Sequence, residues 1–277
     1  MRLLLVDGHY YLYRSFFAIR GLKNSRGEPT NAIYGFIKAL RKMLADVKPD
    51  RAAVIWDAGL PARRVELQPT YKQNRSEMPD DLRPQEEWLQ KNISLLGTQS
   101  LELPNTEADD LIACYARAAR KDGVDVVIAT NDKDILQLVE TNIHIYSTNK
   151  THIADVLALT GDSSDNIPGV PGIGGKTAVQ LVTAHGSVQS LLENPAIIEN
   201  PRLREKIIAN REIIIANREM VRLDDDLPLP VSWKSLEISP RHAELLAALR
   251  DCEFKSLVSE IEAEASKDAP PLQGELF

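Results

Sequence analysis

Arg2-Leu3-Leu4-Leu5-Val6-Asp7 decides the reading of this chain: a short apolar run that ends on a carboxylate. The same figure returns at Ala52-Ala53-Val54-Ile55-Trp56-Asp57. It returns again at Val124-Asp125-Val126-Val127-Ile128-Ala129, with Asp132 three residues on. Short runs of branched apolar residues suit strands buried on both faces. Helix-period segments lie between them. Residues 10–19 have helical spacing, and residues 31–47 put Ile33, Phe36, Ile37, Leu40 and Leu44 on one face. A further helix, capped by Asn105 or Thr106, runs to Lys121. A weak strand is expected over 98–103, a short helix over 132–139 and another strand at 143–146. Strands alternating with helices predict an α/β fold with a doubly wound, mostly parallel sheet.

The acids then acquire a common address. In an open α/β sheet the carboxyl ends of the strands converge on one edge. Asp7, Asp57 and Asp132 fall there, with Glu107-Ala108-Asp109-Asp110 opening a helix, Asp134 close by, and Asp162-Ser163-Ser164-Asp165 further on. Glu107 and Asp110 share a helix face by their spacing. Each acid alone could merely cap a helix or complement its dipole. The coincidence at three strand ends is harder to explain that way. Crowded carboxylates repel unless a cation sits among them, and hard oxygen ligands select Mg²⁺ or Mn²⁺. A site for two or more such ions suggests phosphodiester chemistry.

Two other stretches carry chemistry. Residues 60–83 have no clear period and contain Arg63, Arg64, Tyr71, Lys72 and Arg75. Long irregular stretches inside a domain are usually functional or mobile. If helical, the segment would put Lys72 and Arg75 on one face, suited to clamping a phosphodiester. Tyr71 could stack on a base. Second, Gly169-Val170-Pro171-Gly172-Ile173-Gly174-Gly175-Lys176-Thr177 lies between two amphipathic helical stretches. Its glycines would let backbone amides approach phosphate at a helix N-terminus, and its carbonyls could hold a monovalent cation. The end of the run echoes an ATP-binding phosphate loop, but no buried strand leads into it and its prolines suit that cradle poorly.

The chain has 277 residues and a formal net charge of −7. Nine acids belong to the proposed cluster, and leaving them out reverses the sign of the balance. Net charge therefore does not exclude nucleic acid. No apolar run approaches the roughly twenty residues of a membrane span, and the first strand is too short for a signal peptide. The two cysteines, Cys114 and Cys252, sit in apolar helical patterns and are expected to be buried free thiols. A cytoplasmic, monomeric protein is expected.

Taken together, these motifs resemble the 5′-nuclease family, which includes flap endonucleases and the N-terminal 5′→3′ exonuclease domain of bacterial DNA polymerase I. The likeness runs through Leu3-Leu4-Leu5-Val6-Asp7-Gly8, Trp56-Asp57-Ala58, Tyr71-Lys72-x-x-Arg75 and Met78-Pro79-Asp80-Asp81-Leu82. It continues in Glu107-Ala108-Asp109-Asp110-Leu111-Ile112, Asp132-Lys133-Asp134, Gly161 to Gly169 and Glu253-Phe254-Lys255-Ser256-Leu257. The resemblance implies a PIN-like nuclease core over residues 1–150 with a helical arch at about 60–95. It implies a helical DNA-binding region over 151–261, with a helix–three-turn–helix element at about 151–185, and a tail over 262–277.

The resemblance also implies that Asp7, Asp57, Glu107, Asp109, Asp110 and Asp132 form an inner metal cluster, with Asp134, Asp162 and Asp165 beside it. Asp7 and Asp132 would serve catalysis directly. Lys72 and Arg75 would lie on the arch as catalytic and DNA-contacting cations, with Tyr71. Gly169, Val170, Gly172, Ile173, Gly174, Lys176 and Thr177 would grip duplex DNA, with K⁺ bound at the loop. The expected activity is metal-dependent cleavage at 5′ flaps or ends in replication and repair, on a free-standing nuclease. The family's connection near Lys150-Thr151 is shortened here. Gln273-Gly274-Glu275-Leu276-Phe277 resembles peptides that dock on bacterial sliding clamps, with Gln273, Leu276 and Phe277 as anchors. A weakly cutting DNA-binding module that recruits replication proteins is the alternative, and metal-dependent cleavage separates the two.

Overall fold

A computed structural model describes residues 1–139, 142–146 and 153–268. The Lys150–Thr151 junction and the Gln273–Phe277 peptide lie outside the described residues.

The chain opens with β1 (Arg2–Asp7), α1 (Gly8–Ala18), α2 (Asn31–Val47) and β2 (Arg51–Ile55). Two short helices follow, α3 (Ala62–Leu67) and α4 (Arg83–Asn92), then β3 (Gln99–Leu101). Next come α5 (Ala108–Lys121), β4 (Asp125–Ala129) and β5 (Ile143–Ile145). The strands form one sheet in the order β3-β2-β1-β4-β5, and every pairing is parallel. Alternation along the strands explains both faces. Leu4, Val6, Ala52 and Val54 face one core with Phe36, Leu40, Trp56 and Leu89. Leu3, Leu5, Ala53 and Ile55 face another with Leu111, Ile112 and Tyr115. Helices cover both faces, so the central strands are apolar throughout.

The register sets the site. Val6 pairs with Val54 on one side and Ala129 on the other. The residues just past these points, Asp7, Asp57 and Asp132, are therefore delivered to the same edge. The order of strands reverses at β1, which places the crevice between β1 and β4, the usual binding position in such sheets.

Local differences from expectation have physical causes. The helix expected over 132–139 is a 3-10 turn, Asp134–Leu138, because Asp132 turns its carboxylate back onto the Asp134 amide. Glu107, not Asn105 or Thr106, is the N-cap residue of α5, and its side chain makes no capping bond. The segment between α3 and α4 is turn rather than helix, with Lys72 at φ 56°. Cys114 and Cys252 are buried free thiols.

The remaining described chain is largely helical: α6 (Ile153–Thr160), α7 (Gly175–His185), α8 (Val188–Glu193), α9 (Pro201–Ala209), α10 (Arg211–Val221), α11 (His242–Asp251) and α12 (Lys255–Asp268). α6 to α10 enclose their own core around Leu159, Val170, Ile173, Val182 and Ile207. The turn between α6 and α7 is pinned by Asn217 of α10, whose amide donates to the Ala158 and Pro168 carbonyls at 3.2 and 2.7 Å. Tyr71, Leu157, Ile167, Met220 and Val221 join this unit to the α3–α4 segment.

Close backbone approach makes glycine obligatory at Gly169: a Cβ there would lie 2.0 Å from the Thr160 carbonyl oxygen. Gly169→Ala is expected to cost about 1–3 kcal/mol in chemical denaturation; an unchanged midpoint would contradict this packing.

Candidate active site

Asp7 ends β1 and caps α1. One carboxylate oxygen accepts from the Tyr10 amide at 2.9 Å and the other from the Thr130 hydroxyl at 2.8 Å. Thr130 also accepts from the Asp132 amide at 3.0 Å. One buried hydroxyl thus links Asp7 at the end of β1 to Asp132 just past the end of β4. Asp57 accepts from the Ala108 amide at 2.7 Å, which fixes the start of α5 and the position of Asp109. Burial pushes the Asp7 carboxyl up to about 6, resisted by the Tyr10 amide and aided by Asp57 and Asp132. Burial pushes Asp109 well above the ordinary range, reinforced by Asp132, Asp7 and Asp57. Asp132 is also raised, by burial first, against the Asp134 amide and with the charge of Asp165.

A second acidic group adjoins the first. Oxygens of Asp134, Asp162 and Asp165 lie within 4.8 Å of one another. Burial pushes Asp134 up to about 8, with the charges of Asp132, Asp162 and Asp165 adding to it. Its Oδ1 is buried with no hydrogen-bond partner. Desolvation also works on Asp162, but Lys133 at 2.7 Å and Ser164 outweigh it and hold its pKa low. Repelling carboxylates and an orphaned buried oxygen fit a hard divalent cation, which takes oxygen ligands and removes the repulsion. Asp7, Asp57, Asp109 and Asp132 would face one ion, and Asp134, Asp162 and Asp165 another.

Cations from the α3–α4 segment pair with several of these acids. Arg64 is buried at 3 % exposure. It pairs with Glu107 and makes two bonds to Asp110, at 2.7 and 2.8 Å. Asp110 also accepts from the Asp224 amide at 2.8 Å. Glu107 and Asp110, both expected to hold metal, are engaged by Arg64 in a buried ion pair. The i, i+3 spacing from Glu107 serves Arg64. Arg64 also donates to the Met220 and Arg222 carbonyls, tying the helical unit to the sheet edge. Sequence reasoning gave Arg64 no role, since one arginine in a basic loop looks solvated. Thr130 carried no signal beyond its place after a strand.

Lys72 pairs with Glu107, lies 4.0 Å from Asp165, and its amide donates to the Asp165 carbonyl at 3.2 Å. Burial disfavours its charge, but Glu107 and Asp165 more than offset that and keep the ammonium protonated. Arg75 bonds Asp165 at 2.6 Å. Tyr71 corrects expectation. Its side chain is buried, and its hydroxyl lies 3.1 Å from Glu107 and 3.3 Å from Asp165, so no ring face is offered to a base. Val170 and Ile173 are corrected likewise. Their side chains are core, and their amides already donate to Leu159 and Val170 carbonyls. Gly169 is packed against Thr160, while Gly172, Gly174 and Lys176 are exposed and Thr177 is half-buried.

Residues 2–161 match the 5'-3' exonuclease N-terminal resolvase-like domain, and residues 148–244 match the 5'-3' exonuclease C-terminal SAM fold. The chain belongs to the 5'-3' exonuclease family. A 5'-3' exonuclease of Aquifex aeolicus is 35% identical over 94% of this chain and 95% of its own length. The thermostable DNA polymerase I of Thermus aquaticus is 40% identical over 94% of this chain. This chain spans about a third of that polymerase, 33% of its length. Among solved structures, the T5 D15 protein co-crystallised with metal ions superposes with a TM-score of 0.65 at 19% identity, covering 94% of this chain and 99% of that one. The catalytic core of Rad2 in complex with DNA substrate gives 0.56 at 17% identity over 90% of this chain and 85% of that one.

Two predictions follow from the geometry. Arg64→Met leaves Asp110 charged and buried without its partner and is expected to cost about 3–5 kcal/mol, while Asp110→Asn leaves Mn²⁺ affinity near wild type; a large loss of Mn²⁺ binding in Asp110→Asn would restore it as a ligand. The raised values of Asp7 and Asp134 mean that their protonated forms stabilise the metal-free fold. That contribution is complete below the ordinary aspartate value of about 4 and is lost as pH rises through about 6 and about 8. In chelator, the thermal midpoint should fall with rising pH, and Asp134→Asn should flatten the upper part of the fall. A midpoint that climbs over this range would contradict the assignment.

Proposed function

We propose that this chain is a divalent-metal-dependent, structure-specific 5′ nuclease that hydrolyses DNA phosphodiesters at 5′ flaps and 5′ ends. The observation that carries the reading is the juxtaposition of the two acidic groups with the arginine and lysine side chains of the α3–α4 segment. Mg²⁺, with Mn²⁺ as substitute, would supply Lewis-acid activation of water and stabilisation of the leaving oxygen.

The chain's own groups do the rest. Asp7, Asp57, Asp109 and Asp132 hold one position on the rigid sheet edge. Asp134, Asp162 and Asp165 hold the other on two turns. Glu107 sits between the first group and the cations. Lys72 and Arg75 remain charged beside the acids, and a scissile phosphate entering the crevice would be a better partner for them than a shared carboxylate. They orient the phosphate and stabilise the charge that develops on it. The exposed Gly172, Gly174 and Lys176, at the N-terminus of α7, would hold the duplex backbone beside the cut, and K⁺ would bind at the loop's carbonyls.

We assign the division of labour accordingly. Residues 1–150 cut, with Asp162 and Asp165 completing the site, residues 151–261 otherwise grip the duplex, and Gln273, Leu276 and Phe277 of the 262–277 tail dock on a bacterial sliding clamp. Among the described residues no helix is long and apolar enough to cross a membrane; a monomer acting at the bacterial nucleoid suits this chemistry.

Cleavage of a 5′-labelled flap duplex tests the reading. Short 5′ products are expected with Mg²⁺ and not with chelator. Asp132→Asn should lower the single-turnover rate by at least about 10²-fold with little change in DNA affinity, as for a group acting on the transition state. Lys72→Ala should slow cleavage with a modest loss of binding. Tight junction binding without cleavage in either metal would instead assign the chain to the recruiting module.

A further inference from the structure

His9 lies in the first turn of α1, two residues past Asp7, and its side chain is 18% exposed. Its ring stands edge-on to Trp56, with centroids 5.7 Å apart and planes at 84°. Gly8 lets that turn lie against Trp56, since a Cβ would meet the indole at 2.4 Å. The ring is therefore held against Trp56, and its two nitrogens have distinct partners.

The backbone amide of Asp57 donates to His9 Nδ1 at 3.2 Å. A nitrogen that accepts an amide proton carries none of its own, so the ring proton belongs on Nε2. Nε2 lies 2.7 Å from Glu86 Oε1, an acceptor for that proton. Glu86 belongs to α4, the helix that follows the turn carrying Lys72 and Arg75. On the other side, Asp57 accepts from the Ala108 amide at the start of α5. A continuous line of bonds thus runs from α4 through Glu86, His9 and Asp57 to the helix that presents Asp109.

We propose that His9 is a positioning residue that couples the α4 leg of the cation-bearing segment to the metal-facing carboxylate of Asp57. Nδ1 fixes the backbone from which the Asp57 carboxylate projects, and Nε2 ties that backbone to α4. A shift of α4 on DNA entry is transmitted to Asp57 through one imidazole. This assignment rests on the reading of Asp57 as a metal ligand.

The test measures Mn²⁺ binding to the DNA-free protein by electron paramagnetic resonance, and single-turnover flap cleavage with Mg²⁺, in four variants. Asp57→Asn is the control for the ligand reading. His9→Ala removes both arms and should weaken Mn²⁺ binding about tenfold, as for loss of a group that orients a ligand. His9→Asn keeps an acceptor near the Nδ1 position and should recover most of that binding, but it lacks the arm to Glu86. Glu86→Ala should bind Mn²⁺ like wild type yet, like His9→Asn, cleave the flap about tenfold more slowly at saturating DNA.

If Asp57→Asn weakens Mn²⁺ binding while His9→Ala and His9→Asn do not, the coupling is overturned and the ligand reading stands. If Asp57→Asn itself leaves Mn²⁺ binding intact, the ligand reading fails instead. Wild-type cleavage by Glu86→Ala overturns the α4 arm even where His9→Ala does not fold.

Discussion

Like-charge crowding at one sheet edge is the constraint on which this structure depends. Parallel pairing in a register that aligns Val6 with Val54 and Ala129 delivers Asp7, Asp57 and Asp132 to the same place. The fold tolerates the result because each carboxylate is held by donors behind it: Tyr10 and Thr130 for Asp7, Ala108 for Asp57, the Asp134 amide for Asp132. Those bonds fix direction without removing the repulsion. The raised pKa values of Asp7, Asp109, Asp132 and Asp134 express burial first and that remaining repulsion second. A divalent ion seated there would convert that residue of strain into affinity.

The cations divide into two kinds by what surrounds them. Arg64 is buried, engages Asp110 with both terminal nitrogens, and binds backbone carbonyls near the end of α10. It is a permanent joint between the sheet edge and the helical unit. Lys72, Arg75 and Lys133 are more exposed and hold carboxylates of the second acidic group, Asp165 and Asp162. A nuclease needs both kinds: a rigid platform that keeps its ligands within bonding distance, and mobile charges that meet the substrate. Lys72 also carries a positive φ of 56°, a locally strained backbone beside the acids it pairs with.

The fold was largely legible because its signal is repeated. Apolar runs such as Leu3–Val6 and Val126–Ala129 could be little else than buried parallel strands, and each ended near an acid. What misled was any inference from residue type to direction. Asp110 carries the same chemistry as Asp109, one residue away, yet the helix turns it by about 100° toward Arg64. Tyr71 looked like a stacking platform because it sits in a basic stretch; its hydroxyl instead serves two acids at the bottom of that stretch. His9, Arg64 and Thr130 escaped notice because their partners are distant in sequence, and pairings such as Arg64 with Asp110 or His9 with Glu86 exist only once the chain has folded. Val170 and Ile173 were drawn into the interface by a motif in which Gly172, Gly174 and Gly175, not the apolar residues, face outward.

Anomalous diffraction from crystals soaked in Mn²⁺ addresses the central claim most directly, because it locates ions without reference to activity. The account predicts one peak among Asp7, Asp57, Asp109 and Asp132 and a second among Asp134, Asp162 and Asp165, with Asp110 still bonded to Arg64. Mn²⁺ seated between Glu107 and Asp110 with Arg64 displaced, or no ordered ion at the sheet edge, would contradict it.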